Sequence, residues 1–160
     1  ETDEWLKQNQ KSTREFIRKW GHYCKHDVLM KPIIPPKYNI GFIIENSNPQ
    51  LLHALEPWCS KVYMDFNIAM LYIRDEQLNT SFNLKEKFYP YNQPKNNHIL
   101  VRIDGNSFTQ QDYQVIQQLS EIIQDSGGVG EFNIGNLGIE IFNTTTSERE
   151  LIICKDNLVI

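Results

Sequence analysis

Cysteine, positive charge and long apolar runs are scarce in this sequence, and each shortage excludes a class of protein. The 160 residues contain only Cys24, Cys59 and Cys154. Their odd number and wide spacing argue against a disulfide framework and favour a reducing compartment. No apolar run approaches the roughly 20 residues that span a bilayer, and the polar N-terminus has no signal-peptide core. We therefore expect a cytoplasmic chain without a membrane span.

The formal net charge of −4 argues against a nucleic-acid partner, because non-specific binding to phosphates needs clustered cations. The cations nevertheless gather near the N-terminus, at Lys7, Lys11, Arg14, Arg18, Lys19 and Lys25. A local basic patch is therefore compatible with the acidic whole. The sequence begins with Glu1 rather than Met, and we expect it to be a piece of a longer polypeptide.

The chain is divided into two segments. Residues 1–37 read as an N-terminal helix over 3–20, capped by Thr2 or Asp3 and ended by Gly21, followed by a connector. Prolines make the connector unsuitable for a regular helix: they are Pro32, Pro35 and Pro36. Residues 38–160 show regular patterns and are predicted to form an α/β domain.

The first half of that domain alternates strands and helices. The nearly continuous apolar run 39–45 is typical of a buried strand. Asn48-Pro49 then provides an N-cap and a first-turn proline for a helix. Further elements are predicted as a strand over 61–65, a helix over 67–78, a short strand over 81–84 and a loop over 88–97.

The second half begins with a strand over 98–103. A helix follows Thr109, which forms a capping-box pattern with Asp112, and it ends at Gly127-Gly128. Alternating apolar residues around Gly135-Asn136 predict a β-hairpin, and a last strand is expected over 151–155. This order predicts an α/β fold: a Rossmann-like open sheet with parallel first strands, antiparallel C-terminal strands and helices on both faces.

Ligands of such sheets bind beyond the carboxyl ends of the parallel strands. That rule selects Glu45, Asn46 and Ser47 after the first strand, Asp65 after the second and Asp104 after the strand over 98–103. Asp65 and Asp104 could hold a divalent cation or sugar hydroxyls. The alternative is that polar residues end these strands because loops are solvated.

The first strand–helix corner reads Glu45-Asn46-Ser47-Asn48-Pro49 and contains no glycine. A phosphate cradle needs glycine for close backbone approach, and here Pro49 removes a donor while Glu45 repels anions. We therefore interpret the corner as helix-capping chemistry rather than a nucleotide site. No cofactor is assigned.

Catalytic and metal-binding motifs are weak throughout. The stretch His22 to Asp27, with Cys24 and His26, contains metal-ligand residue types, but Gly21 and Pro32 argue against the helix that would align them. We assign no metal there and no catalytic residue anywhere, since no nucleophile motif is present. Tyr89 and Tyr91, in the predicted loop, are the aromatic residues best placed for exposure and could stack on sugar rings.

Residues 9–21 (NQKSTREFIRKWG) resemble the end of the catalytic domain in family 2 glycosyltransferases, with an Asn followed by an aromatic residue and Lys-Trp-Gly. The matching positions are Asn9, Phe16, Lys19, Trp20 and Gly21. The continuation to Asp65 is similar to accessory regions of bacterial or viral sugar transferases.

This resemblance implies an upstream catalytic domain that binds a nucleotide sugar and a metal through an Asp-x-Asp element. Asp104-Gly105-Asn106 only approximates that element, so no catalytic position carries over. The chain is then predicted to be a non-catalytic C-terminal accessory module that packs on the catalytic domain or binds acceptor glycan. Two alternatives stay open: a structural domain of a large viral or bacterial assembly, and a stand-alone Rossmann-like enzyme using Asp65 and Asp104.

Overall fold

The computed structural model describes residues 2–22, 27–31 and 37–145; the strand predicted over 151–155 lies outside these ranges. The helices are α1 (Asp3–Trp20), α2 (Pro49–Leu55), α3 (Phe66–Glu76), α4 (Gln110–Gln117) and α5 (Leu119–Ser126). The strands are β1 (Ile40–Glu45), β2 (Lys61–Tyr63), β3 (Phe88–Tyr89), β4 (Ile99–Asp104), β5 (Gly130–Ile134) and β6 (Leu137–Ile141). None of the described helices is long and apolar enough to cross a membrane.

The six strands form one sheet in the order β3-β2-β1-β4-β6-β5. The strands β3, β2, β1 and β4 are parallel, whereas β6 runs antiparallel to both β4 and β5. The predicted fold class, an open Rossmann-like α/β sheet with parallel first strands and antiparallel C-terminal strands, is therefore confirmed. The predicted hairpin is also confirmed, with Gly135 at φ 58° in its turn.

The register aligns the apolar side chains of neighbouring strands on one face. Phe42 of β1 pairs with Val62 of β2 and Val101 of β4, and Val101 pairs in turn with Ile139 of β6. All four are fully buried. They form the hydrophobic core with side chains from every helix: Ile17, Leu52, Leu55, Ala69, Tyr72, Ile73, Ile116, Leu119 and Ile123.

Side chains from all the described helices pack into the core on one face of the sheet. This distribution is less even than the sequence predicts. The opposite face of the sheet carries Tyr63 and Leu100, which are buried but stand outside the core. Residues 90–98 cross this face, since Tyr63 donates a hydrogen bond to Asn97 at 2.7 Å. The helix α2 joins β1 to β2, and α3 joins β2 to β3. The right-handed crossover rule for parallel strands therefore places both helices on the same face of the sheet. The helices α4 and α5 lead into an antiparallel hairpin, to which that rule does not apply.

Local capping sets the helix boundaries as predicted. The Thr2 side chain accepts a hydrogen bond from the Trp5 amide, and Gly21 ends α1 in the left-handed conformation at φ 82°. Asn48 caps α2 by accepting from the Leu51 amide. Thr109 and Asp112 form the reciprocal capping box of α4. These ends depend on residues close in sequence, which is why the sequence reveals them.

Three element predictions are wrong. The segment 81–84 is a loop leading into a 3₁₀ turn over Leu84–Glu86, because the Leu84 amide donates to the Gln77 side chain instead of to a strand. The third parallel strand is β3, inside the predicted loop 88–97; the Met64 amide of the segment after β2 donates to Tyr89 at 3.0 Å. The single helix predicted after Thr109 is divided at Gln118, whose ψ of 12° leaves the helical range.

Candidate functional site

The carboxyl ends of β1 and β4 lie side by side at the centre of the sheet, where the strand order reverses direction. Such a switch point is the usual ligand crevice in open α/β sheets. Here the Asn46 side chain donates to the Asp104 carboxylate at 2.9 Å. Asn46 adopts a left-handed φ of 53°, which Asn tolerates better than most residues. The structure thus brings together two of the predicted site residues, Asn46 and Asp104, and they form a hydrogen bond with each other.

Backbone contact also narrows this crevice. The Gly105 amide donates to the Glu45 carbonyl at 2.8 Å. A Cβ atom added to Gly105 would lie 2.1 Å from the Asn46 carbonyl oxygen, so only glycine allows the two loops this close approach. This close contact between the loops after β1 and β4 narrows the crevice in which ligands of open α/β sheets bind.

The Asp104 side chain is engaged by the loops after both β1 and β4. Its carboxylate also accepts from the Asn106 amide at 3.0 Å. Hydrogen bonds from the Asn46 side chain and the Asn106 backbone lower the pKa of Asp104 below its usual value. The carboxylate is therefore charged and is engaged with the backbone of its own loop and with the loop after β1. This is the polar-turn arrangement that the sequence offered as the alternative to a ligand site.

Asp65 lies apart from Asp104, because β1 separates β2 from β4 and two strand spacings amount to about 10 Å. Its carboxylate caps α3 by accepting from the Asn67 amide at 2.8 Å. Within residues 2–22, 27–31 and 37–145, no group of three or more His, Cys, Asp or Glu side chains could hold a metal ion. The structure does not bring Asp65 and Asp104 to one metal position.

Tyr91 occupies the position next to Asp65. Its hydroxyl donates to the Ile44 carbonyl at 2.6 Å and ties the segment 90–98 to the end of β1. Burial raises the pKa of Tyr91, as do the charges of Glu45 and Asp65. Its side chain is 41% exposed, so the predicted exposure holds for the ring while the hydroxyl is engaged.

Tyr89, the other predicted aromatic candidate, belongs to β3 instead of a loop. Its ring lies 5.9 Å from the Tyr63 ring, with the Lys61 ammonium 5.2 Å from the ring centroid. These contacts hold Tyr89 against the sheet.

The glycine-free corner after β1 serves as a helix start. The Asn48 carboxamide accepts from the Leu51 amide at 2.9 Å, and the Ser47 hydroxyl donates to the Asn48 carbonyl at 3.3 Å. The side chains that would meet an anion are thus engaged in building α2. A helix of this length, Pro49–Leu55, ends before its dipole can make a strong anion site.

The stretch from His22 to Asp27 is described at its two ends; Cys24 and His26 lie outside the described residues. His22 is buried and its ring meets the Phe16 ring edge-on at 6.0 Å. The Asp27 carboxylate accepts from the amides of Leu29 and Lys31 at 2.8 and 2.9 Å. Asp27 therefore stabilises a turn of its own backbone.

The most unusual polar feature is a cluster of buried charges, the clamp, formed by Arg14, Arg18, Glu56, Glu76 and Lys87. Arg14 binds Glu76 at 2.6 Å. Arg18 binds Glu56 at 2.5 Å and Glu76 at 2.6 Å. Lys87 binds Glu56 at 2.6 Å. Both glutamate side chains are fully buried, so the clamp fixes α1 to the 3₁₀ turn after α2, to α3 and to the start of β3.

The clamp stays ionised although it is buried. Burial opposes the charge of Glu56, but Lys87 and Arg18 outweigh it and lower its pKa to about 2. Burial likewise opposes ionisation of Glu76, and hydrogen bonds from Arg14 and Asn79 lower its pKa. Burial and the negative charge of Glu56 raise the pKa of Tyr72, whose hydroxyl donates to Glu56 at 2.8 Å.

The sequence analysis missed the clamp. Arg14 and Arg18 lie one turn apart on α1 and flank Ile17, a spacing that marks a shared helix face. Glu56 follows Arg18 by 38 residues and Glu76 follows it by 58. No local pattern links positions at such separations, so the pairing becomes visible only in the fold.

The opposite side of α1 carries an aromatic stripe of Trp5, Phe16 and Trp20. Trp5 is 53% exposed, and Phe16 and Trp20 are half-buried without belonging to the core. The rings of Phe16 and Trp20 lie 6.4 Å apart. About two and a half turns separate Trp5 from Arg14, so the stripe faces away from the clamp. Residues 2–10 of the helix are exposed.

A small cavity of about 320 Å³ lies at the amino ends of the strands, lined by Cys59, Lys87 and Trp58 among others. Burial raises the pKa of the Cys59 thiol to about 12. A thiol with so high a pKa is unreactive at neutral pH. Cys59 is therefore a core residue rather than a nucleophile.

Comparison of the chain with models of known protein families, with curated proteins and with solved structures finds no match to any of them.

Proposed function

We propose that this chain is a non-catalytic accessory α/β module of a sugar-transferring enzyme, which packs on an upstream catalytic domain through α1. The resemblance of residues 9–21 to the end of a family 2 glycosyltransferase catalytic domain motivates the enzyme class. The observation that carries the proposal is the two-sided character of α1.

One side of α1 is fixed to the α/β domain by the clamp and by Ile17, which is 3% exposed. The other side presents Trp5, Phe16 and Trp20 outside the core. Aromatic residues are enriched where protein surfaces meet. A helix fixed on one side and aromatic on the other is suited to join two domains rigidly, because each side packs on a different core.

The polar strand ends do not favour a catalytic role, because their side chains are engaged within the protein. Asn46 and Asp104 bind each other, and Asp65 is engaged in capping α3. Neither the cavity of about 320 Å³ beside Cys59 nor the groove between α1 and α2 is lined by Asp65 or Asp104. The proposal also places the protein in the cytoplasm, supported by the free thiol of buried Cys59.

The decisive experiment uses the full-length product of the gene. Hydrogen exchange would be measured on α1 in that product and in the 160-residue chain. Greater protection of residues 3–12 in the longer protein is expected, because the stripe would be covered. In the full-length protein, Trp5→Ser is expected to lower that protection and Trp58→Phe, in the core, to leave it unchanged. An upstream sequence without a nucleotide-sugar-binding domain would contradict the proposal.

Calorimetric titration of the 160-residue chain separates this function from a stand-alone enzyme. A nucleotide sugar with Mn²⁺ is expected to give no binding heat. Heat that disappears in Asp65→Ala or Asp104→Ala would favour an active site at the strand ends. Protection of α1 by a separate protein, with no catalytic domain in the same chain, would favour the alternative of a structural domain in a large assembly.

A further inference from the structure

The cations on the inward side of α1 form a row of which only one end is neutralised. Arg14 and Arg18 bind the glutamates of the clamp. Lys11 and Lys7 continue the row toward the N-terminus at intervals of about 4.5 to 6 Å along the helix axis. Neither lysine forms an ion pair with any described residue, although both face the domain.

The unpaired end of the row lines a groove of about 880 Å³ between α1 and α2. This volume lies within the roughly 300 to 1,000 Å³ usual for ligand sites. Among the described residues that line the groove, Glu4 is the one carboxylate, against Lys7 and Lys11; Arg14 also lines it but is paired with Glu76. The groove is thus locally positive on a chain whose formal net charge is −4.

Uncharged donors surround the two lysines. The carboxamides of Gln10 and Gln50 line the groove and make no hydrogen bond to another described side chain. His53 also lines the groove, and its Nδ1 atom lies 3.9 Å from the Glu76 carboxylate of the clamp. Ammonium groups suit carboxylates, and side-chain amides suit hydroxyl groups.

We propose that this groove binds an acidic oligosaccharide, with Lys7 and Lys11 on sugar carboxylates and Gln10 and Gln50 on sugar hydroxyls. The inference rests on the proposed function, because an acceptor glycan is the ligand class which that function supplies. Mixed carboxylate and hydroxyl recognition distinguishes this ligand from an acidic peptide, which has no hydroxyl array for the amides.

The test titrates the ¹⁵N-labelled 160-residue chain with trigalacturonic acid at low ionic strength and follows amide shifts. Shifts are expected in α1 and α2 around Lys7, Lys11 and Gln50, and affinity should fall as salt is added. The variant Lys7→Glu/Lys11→Glu should bind at least about tenfold more weakly. The matched control, Lys31→Glu/Lys85→Glu, carries the same net charge on other exposed positions and should bind like the parent.

Three results would overturn the inference: no shifts in the parent chain, equal affinity in the two double variants, or binding of hexaglutamate or inorganic phosphate as tight as that of trigalacturonic acid. Neutral maltotriose should bind more weakly than the acid. Circular dichroism checks folding, and Lys7→Ala/Lys11→Ala serves if charge reversal unfolds α1. Failure here, with α1 still protected in the full-length protein, would remove the glycan site and leave the proposed function standing.

Discussion

Arg18 has a side chain only 2% exposed yet keeps its charge, because carboxylates from two different elements bind it. Burial disfavours its charged form, but its hydrogen bonds to Glu56 and Glu76 and the charge of Glu56 raise its pKa. A buried charge left without its partner costs far more than a surface pair contributes. The loss of stability on changing Arg18 therefore depends mainly on Glu56 and Glu76, which lose a buried partner for their charges.

Substitution Arg18→Ala is expected to reduce the free energy of unfolding by about 3 to 5 kcal/mol, because Glu56 and Glu76 lose a buried partner. Urea denaturation measures it. The control is Arg74→Ala, which removes an exposed arginine paired with Asp75 at 3.3 Å and should change stability by less than about 1 kcal/mol. Equal losses in the two variants would show that the clamp adds nothing beyond a surface pair.

At the scale of elements, Asp112 connects the start of α4 to the β5–β6 hairpin. Its carboxylate accepts from the Thr109 amide at 2.9 Å, as a capping box requires. It also accepts from the backbone amide of Asn136 at 3.1 Å and from the Asn136 side chain at 3.0 Å. One side chain thus caps the start of α4 and holds a turn 24 residues away.

Substitution Asp112→Ala is expected to cost about 2 to 3 kcal/mol, since a cap is worth about 1 kcal/mol and a buried unpaired amide adds about 1 to 3 kcal/mol. Thermal or urea unfolding measures the loss. Hydrogen exchange should show faster exchange of the Asn136 amide. Asp125→Ala, at an exposed position of α5, is the matched control and should stay within about 0.5 kcal/mol. An unchanged Asn136 amide would refute the second role.

For elements, the sequence is informative where the cause is local. The caps of α1, α2 and α4 are set by side chains within three residues, and all were predicted. The segment 81–84 was misassigned as a strand because Ser81 and Thr80 bind Glu15 of α1. Glu15 lies at least 65 residues away in the chain, so no local pattern reveals this contact. The two-residue strand β3 is too short to carry a periodic pattern.

At the scale of the whole molecule, the clamp makes stability depend on pH. The pKa values of Glu56 and Glu76 are lowered in the fold. A carboxyl group with a lowered pKa stabilises the folded state above its unfolded pKa and loses that contribution as pH falls through the folded value. The relevant window runs from about pH 4.5 down to about pH 2 for Glu56.

Stability is therefore expected to decrease by about 3 kcal/mol or more as pH falls through that window, since 2.5 pKa units at 1.36 kcal/mol each act on Glu56 alone. Urea unfolding at a series of pH values measures the slope. The variant Glu56→Gln should show a shallower slope, because one titrating group is removed. A parent slope no steeper than that of Glu56→Gln would contradict an ionised Glu56 in the fold.

The candidate site was predicted only in part. The parallel-strand rule correctly placed Glu45, Asn46 and Asp104 at adjoining strand ends, since that rule depends on strand direction alone. It could not show that Asn46 and Asp104 bind each other, or that Tyr91 stands beside Asp65. The groove under α1 was equally hidden, because a helical pattern shows that Lys7 and Lys11 share a side and not what that side faces.

The sequence by itself determined the fold class, the capped starts of α1, α2 and α4, the hairpin and the capping chemistry of the first corner, because each follows from periodicity or from side chains a few residues apart. The tertiary structure alone decided which charges are buried, which strand ends are engaged and which side of α1 is left open. Those outcomes depend on contacts between residues far apart in the chain, and only the packed sheet and helices bring such residues together.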